Sequence, residues 1–162
     1  MYTYSEAHCL DSRSAGIAGR YGYYEIALKW RWPLSLLTGH LDDAIPELKE
    51  MIRSGPTSGI RRKAAGCLGG HYLSRTKEYE KAATVFRRLA VGEVDGRCSR
   101  YGLDMLYRVA HTSGKQDILK ECIVAIDEMV QNSTDRTDTE RFTTRLIKFR
   151  GRIQNELKEK GS

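Results

Sequence analysis

The chain has 162 residues and a mass of 18.4 kDa, with 40% hydrophobic and 30% charged residues, only three prolines, and a net charge of +6. That length suits one domain or a short stack of packed units, and the supply of core formers excludes a disordered chain. No apolar run approaches the roughly 18 residues of a membrane span, and Met1-Tyr2-Thr3-Tyr4-Ser5-Glu6 lacks the basic start and apolar block of a signal peptide, so a cytoplasmic location is expected.

Residues 1–20 form an N-terminal segment of uncertain role. Ser5 to Leu10 suits a short helix, which Ser12, Ser14, Gly16 and Gly19 would break. Gly16, Gly19 and Gly22 are not spaced as GxGxxG and follow no strand, so they do not form a phosphate loop. From about Tyr21 to Leu37, Tyr24, Leu28, Trp32 and Leu36 recur every four residues, as on one face of a helix. Pro33 lies inside that stretch. Either it kinks the helix, or one helix stops near Arg31 and a second opens with Pro33 in its first turn.

Gly39-His40 turns the chain into a helix over Leu41 to Ile52, with Leu41, Ala44, Ile45, Leu48, Met51 and Ile52 as its apolar stripe and Pro46 near its start. Ser54 to Gly59 is a loop, followed by a helix from Ile60 to Ser74. Ala64, Ala65, Gly66, Gly69 and Gly70 lower its helix propensity, which close approach of a neighbouring helix would offset. A turn at Arg75-Thr76-Lys77 leads to the next helix, with Tyr79, Ala82, Ala83, Phe86, Leu89 and Ala90 on one face. Residues 91–96 form a spacer. Leu103, Leu106, Tyr107 and Ala110 then mark a helix over Ser99 to His111, and Ile118 to Val130 carries the strongest apolar face of the chain.

Residues 135–162 form a basic amphipathic helix with eight basic and four acidic residues over 136–162. Thr137 and Glu140 have the spacing of a capping box, and Phe142, Leu146, Phe149, Ile153 and Leu157 form a narrow seam. The seam suits a capping helix that closes a stack of repeats, or a coiled-coil partner. Cys9, Cys67, Cys98 and Cys122 contain no close pair, which favours reduced, mostly buried thiols.

One pattern recurs three times. A turn at Gly39, at Lys77 and at Gly114 is followed by a bulky residue and then by the anchors Ala44, Ala82 and Leu119, which lie 38 and 37 residues apart. A fixed period of this size marks stacked helical hairpins, each too small to bury its apolar face alone. The expectation is an all-α fold of about three helix-turn-helix repeats over residues 21–134, closed by the C-terminal helix.

Gly39-x-Leu41-x-x-Ala44 and Tyr79-x-x-Ala82-x-x-x-Phe86 resemble the tetratricopeptide repeat family, whose unit is a pair of antiparallel helices repeated every 34 residues. In that register Gly70 and Leu73 take first-helix positions, and Ala82, Phe86 and Leu89 take second-helix packing positions. Trp32 and Tyr107 stand where the first and third repeats should have glycine, Leu119 replaces an alanine, and the spacers are longer than in the family. The resemblance implies a right-handed α-solenoid that binds a peptide or partner helix in a concave groove. Carried over by position, the groove residues are Lys29, Pro33 and Leu36; then Ala64, Cys67, His71 and Ser74; then Tyr101, Asp104, Arg108 and His111.

No enzyme, metal or cofactor is expected. Cys67 and His71 share a helix face at four-residue spacing, but a structural metal needs about four ligands and no second pair exists. Partners are expected to be a protein or peptide, an acidic one where the basic second half makes the contact, with no membrane. A homodimer through the C-terminal helix or the Trp30/Trp32 surface is the self-association this pattern allows. The alternative is a nucleic-acid-binding helical repeat that uses Arg61-Arg62-Lys63, Arg87-Arg88 and the series Arg141, Arg145, Lys148, Arg150 and Arg152.

Overall fold

The structure is a computed structural model that describes residues 17–92, 96–132 and 139–160. Among these residues it is helical throughout, with no strand. The segment 1–16, the 93–95 part of the spacer, and Thr137 of the expected capping box lie outside the described residues, as do Cys9 and the side chain of Trp30.

In chain order, α1 (Ile17–Ile26) runs through a π-helical turn (Ala27–Arg31) into α2 (Trp32–Thr38), and α3 (Leu41–Ser54) follows. α4 (Ser58–His71) runs through a second π-helical turn (Tyr72–Thr76) and is followed by α5 (Tyr79–Val91), α6 (Gly96–Ser113), α7 (Gln116–Asn132) and α8 (Thr139–Lys160). The helix does not break at Pro33. Proline lacks an N–H and its ring crowds the carbonyl four residues back, and the widened turn ending at Arg31 lies where that carbonyl has to move aside.

The chain divides into two compact units, Met1–Cys67 and Leu68–Ser162, with the boundary inside α4. In the first, α2 packs on α3. Its buried apolar side chains include Leu28, Trp32 and Leu36 on the first helical rod and Ala44, Leu48 and Met51 on α3. Trp32 is 1% exposed, so it offers no surface to a second subunit, contrary to the sequence expectation. The Arg31 guanidinium lies 4.2 Å from the Trp32 ring centroid and donates to the Tyr23 hydroxyl at 2.9 Å.

In the second unit, α5 packs on α6 and on α7, α6 on α7, and α7 on α8. Phe86 of α5 is fully buried. A Cβ on Gly69 of α4 would collide with its ring, and Tyr101 of α6 meets it edge-on at 6.3 Å. A Cβ on Gly102 of α6 would lie 2.5 Å from the Ala90 amide nitrogen and 2.7 Å from the Phe86 carbonyl oxygen. The close approach expected of the glycine-rich helix therefore occurs at Gly69. Gly70, one residue later, has open space where its Cβ would be.

The seam of α8 turns inward, with Leu146 and Ile153 buried and the Phe149 ring 5.0 Å from that of Tyr107. This covers the stripe that a coiled-coil or homodimer partner would have used. Cys98 and Cys122 are free and buried, and Cys67 is free and half-buried.

Three two-residue turns share one backbone device. Positive φ occurs at Gly39 (83°), Lys77 (55°) and Gly114 (68°), at the same 38- and 37-residue intervals as the apolar anchors. His40 and Glu78, which follow the first two, have nearly the same conformation, with ψ of 75° and 71°. Their amides donate to the carbonyls of Ser35 and Tyr72, each at 2.9 Å, and the Gly114 amide donates to that of Ala110 at 3.0 Å. Left-handed backbone costs a β-carbon residue about 1 kcal/mol, and only the middle turn bears that cost. Lys77→Gly should raise stability by about 0.5–1 kcal/mol in urea unfolding. Gly102→Ala should lower it by about 1–3 kcal/mol, because the atoms in its way are backbone.

Candidate functional site

The expected groove residues fall in both units. In the first, Lys29 is exposed, Cys67 is half-buried, and Leu36 is 6% exposed. Leu36 thus leaves a partner almost nothing to touch, which corrects its place in the groove. It belongs to the buried side of α2, whereas Leu34 and Leu37 on the same helix are 50% and 52% exposed.

Burial pushes the Cys67 thiol up to about 11. A thiol that keeps its proton at neutral pH is neither a nucleophile nor a ready metal ligand. His71, four residues on, is half-buried and edge-on to Tyr72 at 5.8 Å, and its Nε2 is buried without a hydrogen-bond partner. Burial lowers its pKa below the ordinary 6.5; Glu78 works against the shift and Arg75 with it. The pair therefore lacks the charge separation that thiolate–imidazole chemistry uses. Among the described residues no three His, Cys, Asp or Glu side chains are placed to hold a metal.

In the second unit Ser74, Asp104 and Arg108 are exposed and Tyr101 is half-buried. Tyr101, Asp104, Arg108 and His111 lie within roughly 80° of one another around α6, at 100° per residue. Sequence spacing alone predicts this face. It does not predict how the end of the face is tied to α8. His111 Nε2 is 3.2 Å from Glu156 Oε1, the Tyr107 hydroxyl donates to Glu156 Oε2 at 3.0 Å, and the Tyr107 and His111 rings meet at 4.4 Å. Glu156 is only 18% exposed along its side chain. The Tyr107 pKa is raised, first by burial and then by its hydrogen bond to Glu156. One carboxylate thus fixes α8 beside α6.

The other ionic contacts divide the basic residues into two groups. Arg61 and Arg62 donate to the carbonyls of Gly55 and Ser58, and Lys63 pairs with Glu25 at 3.5 Å. Arg87 pairs with Glu128 at 2.6 Å and Arg150 with Asp127 at 2.7 Å. Arg141, Arg145, Lys148 and Arg152 are exposed and form no ion pair with any described residue. The sequence listed Arg150 with these four, but it is turned away toward α7.

Comparison with family models, with curated proteins and with solved structures finds no match. No helix among the described residues is long and apolar enough to cross a membrane.

Two outcomes are expected here. Tyr107→Phe keeps the ring contacts and loses only a hydrogen bond to a carboxylate, so urea unfolding should show a loss of about 1–2 kcal/mol. For His71 the folded chain holds its proton less well than the unfolded one, so the unfolded chain binds more protons as pH falls through the ordinary value. That contribution is complete above it and is lost toward acid. Its NMR titration midpoint should lie below 6.5, and wild-type stability should fall more than that of His71→Gln between about pH 7 and pH 5.

Proposed function

We propose that this chain is a non-enzymatic protein-interaction module, built as a tetratricopeptide-like α-solenoid of three helical hairpins with α8 as its cap. The recurrent left-handed turns at Gly39, Lys77 and Gly114 support the repeat reading. The partner is a protein or peptide, and the protein serves as a scaffold that holds it without transforming it.

The observation that carries the binding role is the exposed apolar stripe on the first helical rod. Ile26, Leu34 and Leu37 are 57%, 50% and 52% exposed. Leu34 and Leu37 are three residues apart. Ile26 lies eight residues before Leu34, close to two turns once the wider π-helical turn is included, so all three fall on one side. Water gains nothing from such a row, and apolar rows of this kind mark contacts with other proteins. In the second unit, the α6 face with Tyr101, Asp104, Arg108 and His111 offers polar contacts of its own.

The test is capture of partners from the native source by tagged wild-type chain and three variants, with helicity checked by circular dichroism. A protein bound by wild type should be lost with Leu34→Glu plus Leu37→Glu and weakened by Arg108→Glu. It should be retained with Lys49→Glu, an exposed change on α3. Equal capture by all four would show that neither surface is the site.

A further inference from the structure

We propose that α8 carries a second, separate binding surface, a cationic ridge that takes the sugar–phosphate backbone of nucleic acid. Arg141, Arg145, Lys148 and Arg152 follow one another at steps of four, three and four residues. At 100° per residue they fall within an arc of roughly 60°, and at 1.5 Å per residue the ridge is about 16 Å long. The inward seam fixes which side of α8 faces out. Leu146 and Ile153 are buried roughly 110° to 130° round the helix from the ridge, and at its edge Phe149 meets Tyr107 and Glu156 is held by Tyr107 and His111. The ridge is therefore set on a rigid helix whose rotation about its own axis is fixed.

Four like charges at these spacings repel one another along a helix. Elsewhere in the second unit several cations are answered, Arg87 by Glu128, Arg150 by Asp127, Lys120 by Asp117, Lys115 by Glu80 and Lys81 by Glu78, while exposed Arg75, Lys77, Arg88, Arg100 and Arg108 form no ion pair among the described residues but do not stand in one row. None of the four ridge residues has such an answer among the described residues. An external anion of matching length would remove the repulsion.

The ridge also discriminates between kinds of anion. An acidic peptide or helix needs apolar anchors at the centre of its interface. The exposed Ile147 projects about 100° from Lys148, the nearest ridge residue, and Thr144 and Asn155 are exposed beside the arc, with Glu159 in line with it beyond Arg152. Phosphates need only the cations. A duplex carries one phosphate per strand for each 3.4 Å of its axis, so the ridge spans about five base pairs. Without an exposed aromatic on the ridge for base stacking, contact is with the backbone and independent of sequence.

The experiment is fluorescence anisotropy of full-length chain with a labelled DNA duplex of arbitrary sequence, between about 50 and 200 mM salt. With four phosphate contacts, the logarithm of affinity should fall against that of salt with a slope of about −3.6, roughly a hundred-fold loss over the range. Arg145→Gln with Arg152→Gln should reduce the slope by about 2. Arg53→Gln with Lys120→Gln changes net charge equally at other exposed sites and should leave the slope unchanged. Circular dichroism and thermal unfolding check that both double variants stay folded. No binding at the low-salt end would overturn the proposal, as would equal losses from the two double variants. So would polyglutamate binding as tightly as duplex, which would assign the ridge to acidic protein.

Discussion

Phe86 in contact with two glycines is the constraint on which the second unit depends. Its ring lies where any side chain at residue 69 would have to be, and its carbonyl and the Ala90 amide lie where a side chain at residue 102 would be. Glycine costs a helix about 1 kcal/mol relative to alanine. Here the cost is offset at Gly69 by complete burial of a phenyl ring and at Gly102 by letting α6 approach the backbone of α5. α6 is held in turn against α7, α7 against α8, and α8 against Tyr107 and His111. Each surface feature of α6 and α8 takes its direction from this sequence of contacts.

The turns are the second constraint. Two helices joined by two residues must reverse direction almost at once, and a left-handed residue at the end of the first makes that possible while the next amides close on the preceding carbonyls. The chain uses the device three times, twice with glycine and once with Lys77. The left-handed residue recurs at 38- and 37-residue intervals although the anchor that follows it is alanine at 44 and 82 and leucine at 119.

Arg53, Lys63, Lys81, Arg87, Lys115, Lys120 and Arg150 pair with carboxylates of the fold. The exposed pairs contribute little to stability individually, but they show which cations the fold uses for itself. Among the exposed cations outside such pairs, four form one row on α8, beside a partly buried carboxylate that orients the helix. The exposed apolar row on the first helical rod has the opposite character, with no charge to satisfy and area to cover. The two surfaces differ in chemical character, and the described thiols Cys98 and Cys122 are buried, with Cys67 half-buried.

Among the described residues, helical class, the placement of the helical rods and the positions of the turns were legible in sequence, because each depends on interactions within about four residues: apolar periodicity, glycine, and polar spacers. The buried side of α8 was legible for the same reason. Which glycine would be pressed against Phe86 was not, since neighbouring helical glycines point to different sides and only the angle of the partner helix selects between 69 and 70. The burial of Trp32 and Leu36, and the diversion of Arg150 to Asp127, are tertiary in the same sense. A helical residue's type is set by the chain, but whether its side meets water or another helix is decided by packing at long range.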